Sequence, residues 1–288
     1  MSLPSGYKRL EYIQSTGTQY IDTGVAANGN TGFAVDFSTT SAVSTSGYGS
    51  ILGCLNSGSN RYGISTYPDR SGGQLCYGSA IYNPYITVGN RLQVSLLNGS
   101  IKTPNGTETV GAQTFNVGAT ITVFGRKRTD GSVDELSKTK IYALTIYDNG
   151  NLVRDFIPCQ KPDGTIGLWD DVNSKFYGNA GTGAFTAGPE IIPDPPAAPT
   201  GLQTVLAVVL QWATSANADR YEVYRDGAKL GSADGTQYVD ATPEANQTYV
   251  YTVKAVNGGG ESAGTSITVY TKSGYFEYKP LIESANFP

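Results

Sequence analysis

The sequence predicts an all-β protein built as two sandwiches in tandem, and three observations carry that expectation. The chain has 288 residues, enough for two domains that each bury a core of their own. It holds 36 Gly and 20 Tyr but only 15% charged residues, whereas long amphipathic helices need more Glu, Lys, Leu and Ala. Apolar and polar residues alternate in many short runs, and turn dipeptides separate the runs.

From the N-terminus, Met1 to Lys8 contain no apolar h-region and lead straight into a strand-like stretch. No secretory signal is expected, and with Met1 as its start the protein is expected to be made and assembled in a cytoplasm. No apolar run is long enough to cross a membrane. Half-buried strands follow at Phe33, Val35 and Phe37; at Leu92, Val94 and Leu96; and at Ile121 and Val123. A further strand sets Ile141, Ala143 and Thr145 against Tyr142, Leu144 and Ile146. Asn98-Gly99, Asn105-Gly106, Asp130-Gly131, Asn149-Gly150 and Asp163-Gly164 supply the positive φ that tight hairpins require. Only Val133 to Lys140 offers a helical turn. Arg126-Lys127-Arg128 is the one basic cluster and reads as a solvated strand end. With a net charge of -4, the chain lacks the footprint of a nucleic-acid binder.

The prolines between Pro189 and Pro199 remove amide donors and hold the backbone extended. The expected organisation is a domain over 1–188, a Pro-rich linker over 189–198, a second domain over 199–273 and a tail over 274–288. In the second domain, Leu206 to Trp212 and Tyr221 to Arg225 read as strands, Asp226-Gly227 as a turn, and Tyr249 to Asn257 as a long strand. Pro199-x-x-Leu202, Leu210-Gln211-Trp212, Tyr221-x-Val223-Tyr224-Arg225 and Tyr249-x-Tyr251-x-Val253-x-Ala255-Val256-Asn257 resemble a fibronectin type III domain across 197–273. The resemblance implies an immunoglobulin-like sandwich in which Trp212 packs between two sheets and Tyr249 forms the tyrosine corner. Both roles are structural, so this module is expected to be a spacer. The apolar tail is expected to pack back on a domain or to dock on a partner.

The first domain carries Leu10 to Gly24, Lys140 to Gly150, Leu152 to Cys159, Gly167-Leu168-Trp169-Asp170 and Phe176-Tyr177-x-Asn179. These stretches look like the concanavalin A-like (laminin-G-like) jelly-roll modules of phage and prophage tail or receptor-binding proteins. The resemblance implies a virion component that presents a carbohydrate-binding module to the cell-surface glycan or wall polymer of a Gram-positive host, with 274–288 docking on other tail or virion proteins. Tyr12, Tyr20 and Ile21 are expected to lie beside the strand Ile141 to Tyr147, and Gly-Leu-Trp-Asp with Phe-Tyr-x-Asn to form a terminal hairpin.

Enzymatic chemistry finds little support. The chain has no His, which removes the commonest general base and most transition-metal sites. The adjacent pairs Asp134-Glu135 and Asp170-Asp171 point to opposite faces if extended, and a glycosidase needs two carboxylates facing one bond. No phosphate-binding glycine loop occurs. Arg154 and Asp155 read as an ion pair on the sheet. Cys54, Cys76 and Cys159 read as buried thiols, with a Cys54–Cys76 bridge left open. Calcium also stays open, since Asp22, Asp36, Asp69, Asp148 and Asp170 offer hard oxygen ligands.

A segment rich in Gly, Ser, Asn and Tyr is the candidate ligand site, holding Tyr48, Arg61, Tyr62, Tyr67, Asp69, Arg70, Tyr77, Tyr82 and Tyr85. Tyr offers a flat apolar face with a hydroxyl, and its small polar neighbours offer adaptable hydrogen bonds, a combination suited to sugars. The competing expectation is that half of these tyrosines face the core. Two other functions remain beside a receptor-binding lectin: a virion decoration making only protein–protein contacts, and a fragment of a bacterial surface adhesin.

Overall fold

The computed structural model describes residues 3–40, 48–67, 72–97, 99–205 and 209–272. Backbone packing divides the chain into two bodies, Met1–Ile191 and Ile192–Pro288. Among the described residues all regular structure is strand, and no helix is long and apolar enough to cross a membrane. Of the expected linker, the first three residues belong to the first body. Pro189 O accepts from Glu11 N and Ile191 N donates to Arg9 O, both at 2.8 Å, while Glu190 bridges Leu10.

The first body opens with β1 (Lys8–Arg9), β2 (Ile13–Gln14), β3 (Ile21–Asn28) and β4 (Thr31–Thr39). It continues through β5 (Gly49–Ser57), β6 (Asn60–Thr66), β7 (Gly73–Gly78) and β8 (Ala80–Tyr82). Then come β9 (Arg91–Leu97), β10 (Ser100–Thr103), β11 (Gly106–Thr109), β12 (Asn116–Val123), β13 (Arg126–Arg128) and β14 (Val133–Asp134). It closes with β15 (Thr139–Asp148), β16 (Asn151–Gln160), β17 (Ile166–Asp170), β18 (Lys175–Tyr177) and β19 (Thr186–Ala187).

Two sheets result. The larger runs β11-β10-β9-β4-β15-β16-β17-β18, with β1 on β16 and β2 between β15 and β19. The smaller runs β14-β13-β5-β6-β7-β8, with β12 joining β5 to β3. Neighbours such as β4 and β15 are far apart in sequence, the crossover pattern of a jelly-roll sandwich rather than a meander. Phe33, Val35 and Phe37 of β4 and Val94 and Leu96 of β9 meet Tyr62, Ile64, Leu75, Val117 and Ile121 from the smaller sheet, all at most 2% exposed. Full burial of such side chains stabilises by roughly 1.5–3 kcal/mol each.

Along β15 the buried apolar residues are Ile141, from one alternating set, and Leu144 and Ile146, from the other. The register against β4 shifts between Ile141 and Ala143, and this bulge reverses the phase so that both halves of the strand turn apolar residues inward. β2 does lie on β15, with Ile13 opposite Ile141, but Ile21 opens β3 in the other sheet, opposite Val123. The terminal hairpin forms with Trp169 opposite Phe176. Val133 to Lys140 does not turn helical: Val133 and Asp134 pair as β14, and Glu135 takes a left-handed φ of 49° that a right-handed helix cannot continue.

The second body contains β20 (Gln203–Val205), β21 (Val209–Gln211), β22 (Arg220–Arg225), β23 (Ala228–Ala233), β24 (Gln237–Val239), β25 (Thr248–Asn257), β26 (Gly260–Glu261) and β27 (Thr265–Tyr270). One sheet is β20-β21-β24; the other is β23-β22-β25 with β26 and β27 also on β25, giving the second sandwich. Asp226 and Gly227, at φ of 50° and 84°, form the two-residue turn between β22 and β23. Trp212 is 6% exposed and packs edge-on to Tyr221, ring centroids 5.3 Å apart. Tyr249 Oη accepts from Glu244 N at 3.0 Å, the back-bond of a tyrosine corner. Residues 206–208 of the expected strand Leu206–Trp212, and the tail over 274–288, lie outside the described residues.

Candidate functional site

Alternation along β6 turns Tyr62 and Ile64 into the core, which leaves Arg61, Gly63 and Ser65 on the outer face of the smaller sheet. Cross-strand register extends this face. Gly63 lies between Gly53 of β5 and Cys76 of β7, Ser65 pairs with Gln74, and Arg61 pairs with Leu55. β13 runs parallel to β5 and sets Arg126 beside Gly53 and Arg128 beside Leu55. Two paired glycines cannot fill the space above them, and a pocket of about 420 Å³ opens there, lined also by Tyr48, Ser50 and Glu135. Gly63 has no substitute: its φ is +130°, and a Cβ would stand 2.1 Å from Leu52 O and 2.5 Å from Gly53 Cα.

The pocket wall is charged. Arg126 Nε lies 2.9 Å from Asp134 Oδ1, Arg126 Nη2 lies 2.8 Å from Glu135 Oε1, and Arg128 Nε lies 2.6 Å from Asp134 Oδ2. Burial pushes the Glu135 carboxyl up to about 7, a rise that Arg126 opposes and Asp134 reinforces. Burial also raises Asp134, yet hydrogen bonds from Arg126 and Arg128 outweigh it and hold that carboxyl below its usual range. Arg61 Nε, Ser50 Oγ and Glu135 Oε2 are buried without a hydrogen-bond partner. Such atoms supply both donors and acceptors to anything that enters.

The expected site residues divide. Tyr48 and Arg61 line the pocket. Tyr67 stacks at a tilt on Tyr48, centroids 5.6 Å apart, and its hydroxyl donates to Asn83 Oδ1 at 3.1 Å. Tyr82 and Tyr85 line a separate groove of about 300 Å³ with Ile101 and Thr103. Tyr62 and Tyr77 do not present an open stacking face. Both are buried, Tyr62 against Phe33, Tyr77 and Phe115, and the Tyr77 hydroxyl donates to Gly29 O. Asp69 and Arg70 lie outside the described residues. Among the described residues of segment 56–86, more than half lie in β6, β7 and β8, so the sheet face itself presents the site.

Arg126, Arg128 and Glu135 had no place in the expected site. The basic cluster is a short strand with partly exposed side chains that sends Arg126 and Arg128 to the pocket face and Lys127 to the other, where its Nζ meets Asp22 Oδ2 at 2.6 Å. That alternation was the available signal. Asp134 and Glu135 are not divergent either, because the left-handed φ of Glu135 returns its carboxylate to the guanidinium that Asp134 already holds.

Arg154 pairs not with Asp155 but with the fully buried Asp170, at 3.4 Å, since adjacent strand residues face opposite ways. Asp155 instead donates its backbone N–H to Asp170 Oδ1 at 3.1 Å. Cys54 faces the core beside Tyr62 and Cys76 faces outward beside Gly63, so the bridge left open does not form, and all three thiols are free. Cys76 is half-buried rather than buried. Burial pushes the Cys54 thiol up to about 12. Of the acids offered for calcium, Asp22 is engaged by Lys127, Asp36 by Arg91 and Asp170 by Arg154, while Asp148 lies within 3.5 Å of Asn28 Nδ2. Among the described residues no three acidic, Cys or His side chains converge as a metal site.

No family model matches the chain. It is 37% identical over 134 residues to a poly(3-hydroxybutyrate) depolymerase of Ralstonia pickettii, covering 44% of this chain and 25% of the relative. It is 32% identical over 145 residues to chitinase Chi52 of Paenibacillus xylanexedens, covering 46% of this chain and 28% of the relative. The chain thus spans about a quarter of the length of these relatives. A solved structure described as FN3tt mut is 24% identical with a TM-score of 0.25, covering 27% of this chain and 97% of its own.

Proposed function

We propose that the chain is a non-enzymatic binding protein whose first body holds a glycan over Gly53 and Gly63 and whose second body is a spacer. One observation carries this reading: Arg61 Nε, Ser50 Oγ and Glu135 Oε2 are buried and unpaired around a pocket of about 420 Å³ that Tyr48 also lines. Each unpaired buried group costs about 1–3 kcal/mol, and sugar hydroxyls both donate and accept. Hydrolysis of the glycan would need a second carboxylate opposite Glu135. Glu135 is the sole carboxylate among the described lining residues, and Asp134 is tied to Arg126 and Arg128.

Similarity to part of a depolymerase and part of a chitinase supports an accessory, polymer-binding role. The stretches Leu10 to Gly24 and Lys140 to Cys159 support a phage or prophage tail as its setting, with a Gram-positive cell-surface glycan or wall polymer as the partner. The test is co-sedimentation of the full chain with Gram-positive cells, isolated wall polysaccharide, chitin and cellulose, with and without calcium. Saturable binding that Tyr48→Ala weakens about tenfold supports the reading. Binding that is indifferent to Tyr48→Ala contradicts it.

A further inference from the structure

The pocket face places two guanidiniums on either side of one apolar residue. Arg61 of β6 and Arg128 of β13 are both cross-strand partners of Leu55. Strands lie about 4.8 Å apart, so the two side chains rise from points about 10 Å apart, with Arg126 one row behind, beside Gly53. The three arginines are not equivalent. Arg126 carries Asp134 through two hydrogen bonds and Glu135 through a third contact, and Arg128 shares Asp134. Arg61 has no carboxylate and no hydrogen-bond acceptor among the described residues, and its Nε is buried. Three guanidiniums therefore meet two carboxylates, and the uncompensated cation is the one across the pocket from the acids.

The Arg61 side chain is partly buried, with its Nε cut off from water and without an acceptor, and an entering anion relieves that cost. Its planar fork matches the two oxygens of a carboxylate or a phosphate. We propose that the corner formed by Arg61 and Arg128 across Leu55 takes an anionic group, so that the glycan bound here carries acidic units. This rests on the glycan reading above and narrows it. The acid is either a uronate carboxylate or the phosphate of a polyol-phosphate chain, and both present the same oxygens to the fork. Ser50 and Gln74, on the same lining, serve the neutral hydroxyls of the unit.

The experiment is calorimetric titration of the full chain with tetragalacturonate, a glycerol phosphate trimer, cellotetraose and chitotetraose. At least one anionic probe is expected to bind about 10- to 100-fold more tightly than the neutral ones, the range of a charge-assisted hydrogen bond. The tighter anion identifies the source of the acid. Arg61→Gln is expected to abolish the preference, and Arg61→Lys to retain part of it. Raising the salt concentration from 50 to 500 mM should weaken the anionic probe in the unmodified chain, a readout independent of any variant. Neutral probes binding as tightly as anionic ones, an unchanged Arg61→Gln, or salt-independent binding overturns the inference and leaves the glycan reading standing. Binding of no probe and no wall polymer overturns both.

Discussion

Arg126 holds two consecutive acids on one guanidinium, Asp134 at 2.9 Å and Glu135 at 2.8 Å. Successive residues on a strand diverge, and the left-handed φ of Glu135, 49°, is what bends the second carboxylate back. Glu135 then lies buried, with one oxygen unpaired, at the edge of the pocket.

The pH dependence of stability follows from that burial. Glu135 titrates near 7 when folded against 4.5 in an ordinary setting, so between those values the folded state binds more protons than the unfolded one. Its favourable contribution is whole below about 4.5 and is lost as pH rises through about 7, an effect on the order of 1–3 kcal/mol. Denaturant unfolding from pH 4.5 to 8 should show this decline in the unmodified chain and a flatter profile in Glu135→Gln. Parallel profiles would contradict the assignment.

Tyr62 belongs to the core. Tyr62→Ala should cost about 3–5 kcal/mol, as for other large-to-small changes in a packed interior. Tyr62→Phe should be neutral or stabilising, because the buried hydroxyl has no hydrogen-bond partner. A loss above about 1.5 kcal/mol for Tyr62→Phe would show that the hydroxyl has a role the structure does not give it.

Gly63 fixes the pocket floor. Gly63→Ala meets backbone at 2.1 Å and an unfavourable φ together, and should destabilise by about 3 kcal/mol or more. Gly58→Ala, where a Cβ meets nothing within 4 Å, should stay within about 0.5 kcal/mol. Equal Tm values for the two variants would refute the tight β5–β6 approach.

In the second body, Asp240 ties separate elements together. It is 3% exposed, accepts from Tyr251 Oη at 2.8 Å and pairs with Arg225 Nη1 at 2.7 Å. Burial raises this carboxyl, and donors from Thr242, Tyr251 and Arg225 outweigh it, holding the group below its usual range. Its stabilisation is therefore present above the ordinary carboxylate range and lost as pH falls through the folded value. Asp240→Ala should cost about 3 kcal/mol at pH 7, leaving Arg225 without its buried partner. Unfolding curves at pH 7 and pH 3 should differ less for this variant than for the unmodified chain.

Much of the fold is visible in the alternation of Phe33, Val35 and Phe37 and in the turn pairs Asn149-Gly150 and Asp226-Gly227, since strand faces and tight turns depend on local chemistry. The phase reversal in β15 is not visible, because a bulge is set by the neighbour β4 rather than by the strand's own residues. The site was half legible. Tyr48 and Arg61 are legible in the local composition, whereas Glu135 depends on one backbone angle, and Arg126 and Arg128 on a parallel pairing with β5 across a long sequence separation. Tyr62 and Tyr77 look like binding residues by type, and only the register of β6 and β7 turns them inward.

The most direct test of the central claim is the binding isotherm of the full chain on isolated walls of a Gram-positive bacterium, beside that of the Tyr48→Ala, Arg61→Gln double variant. Saturable binding by the unmodified chain, weakened at least about tenfold in a double variant of unchanged Tm, is the expected result. No saturable binding to any wall, or equal binding by both proteins, would contradict a glycan site over Gly53 and Gly63.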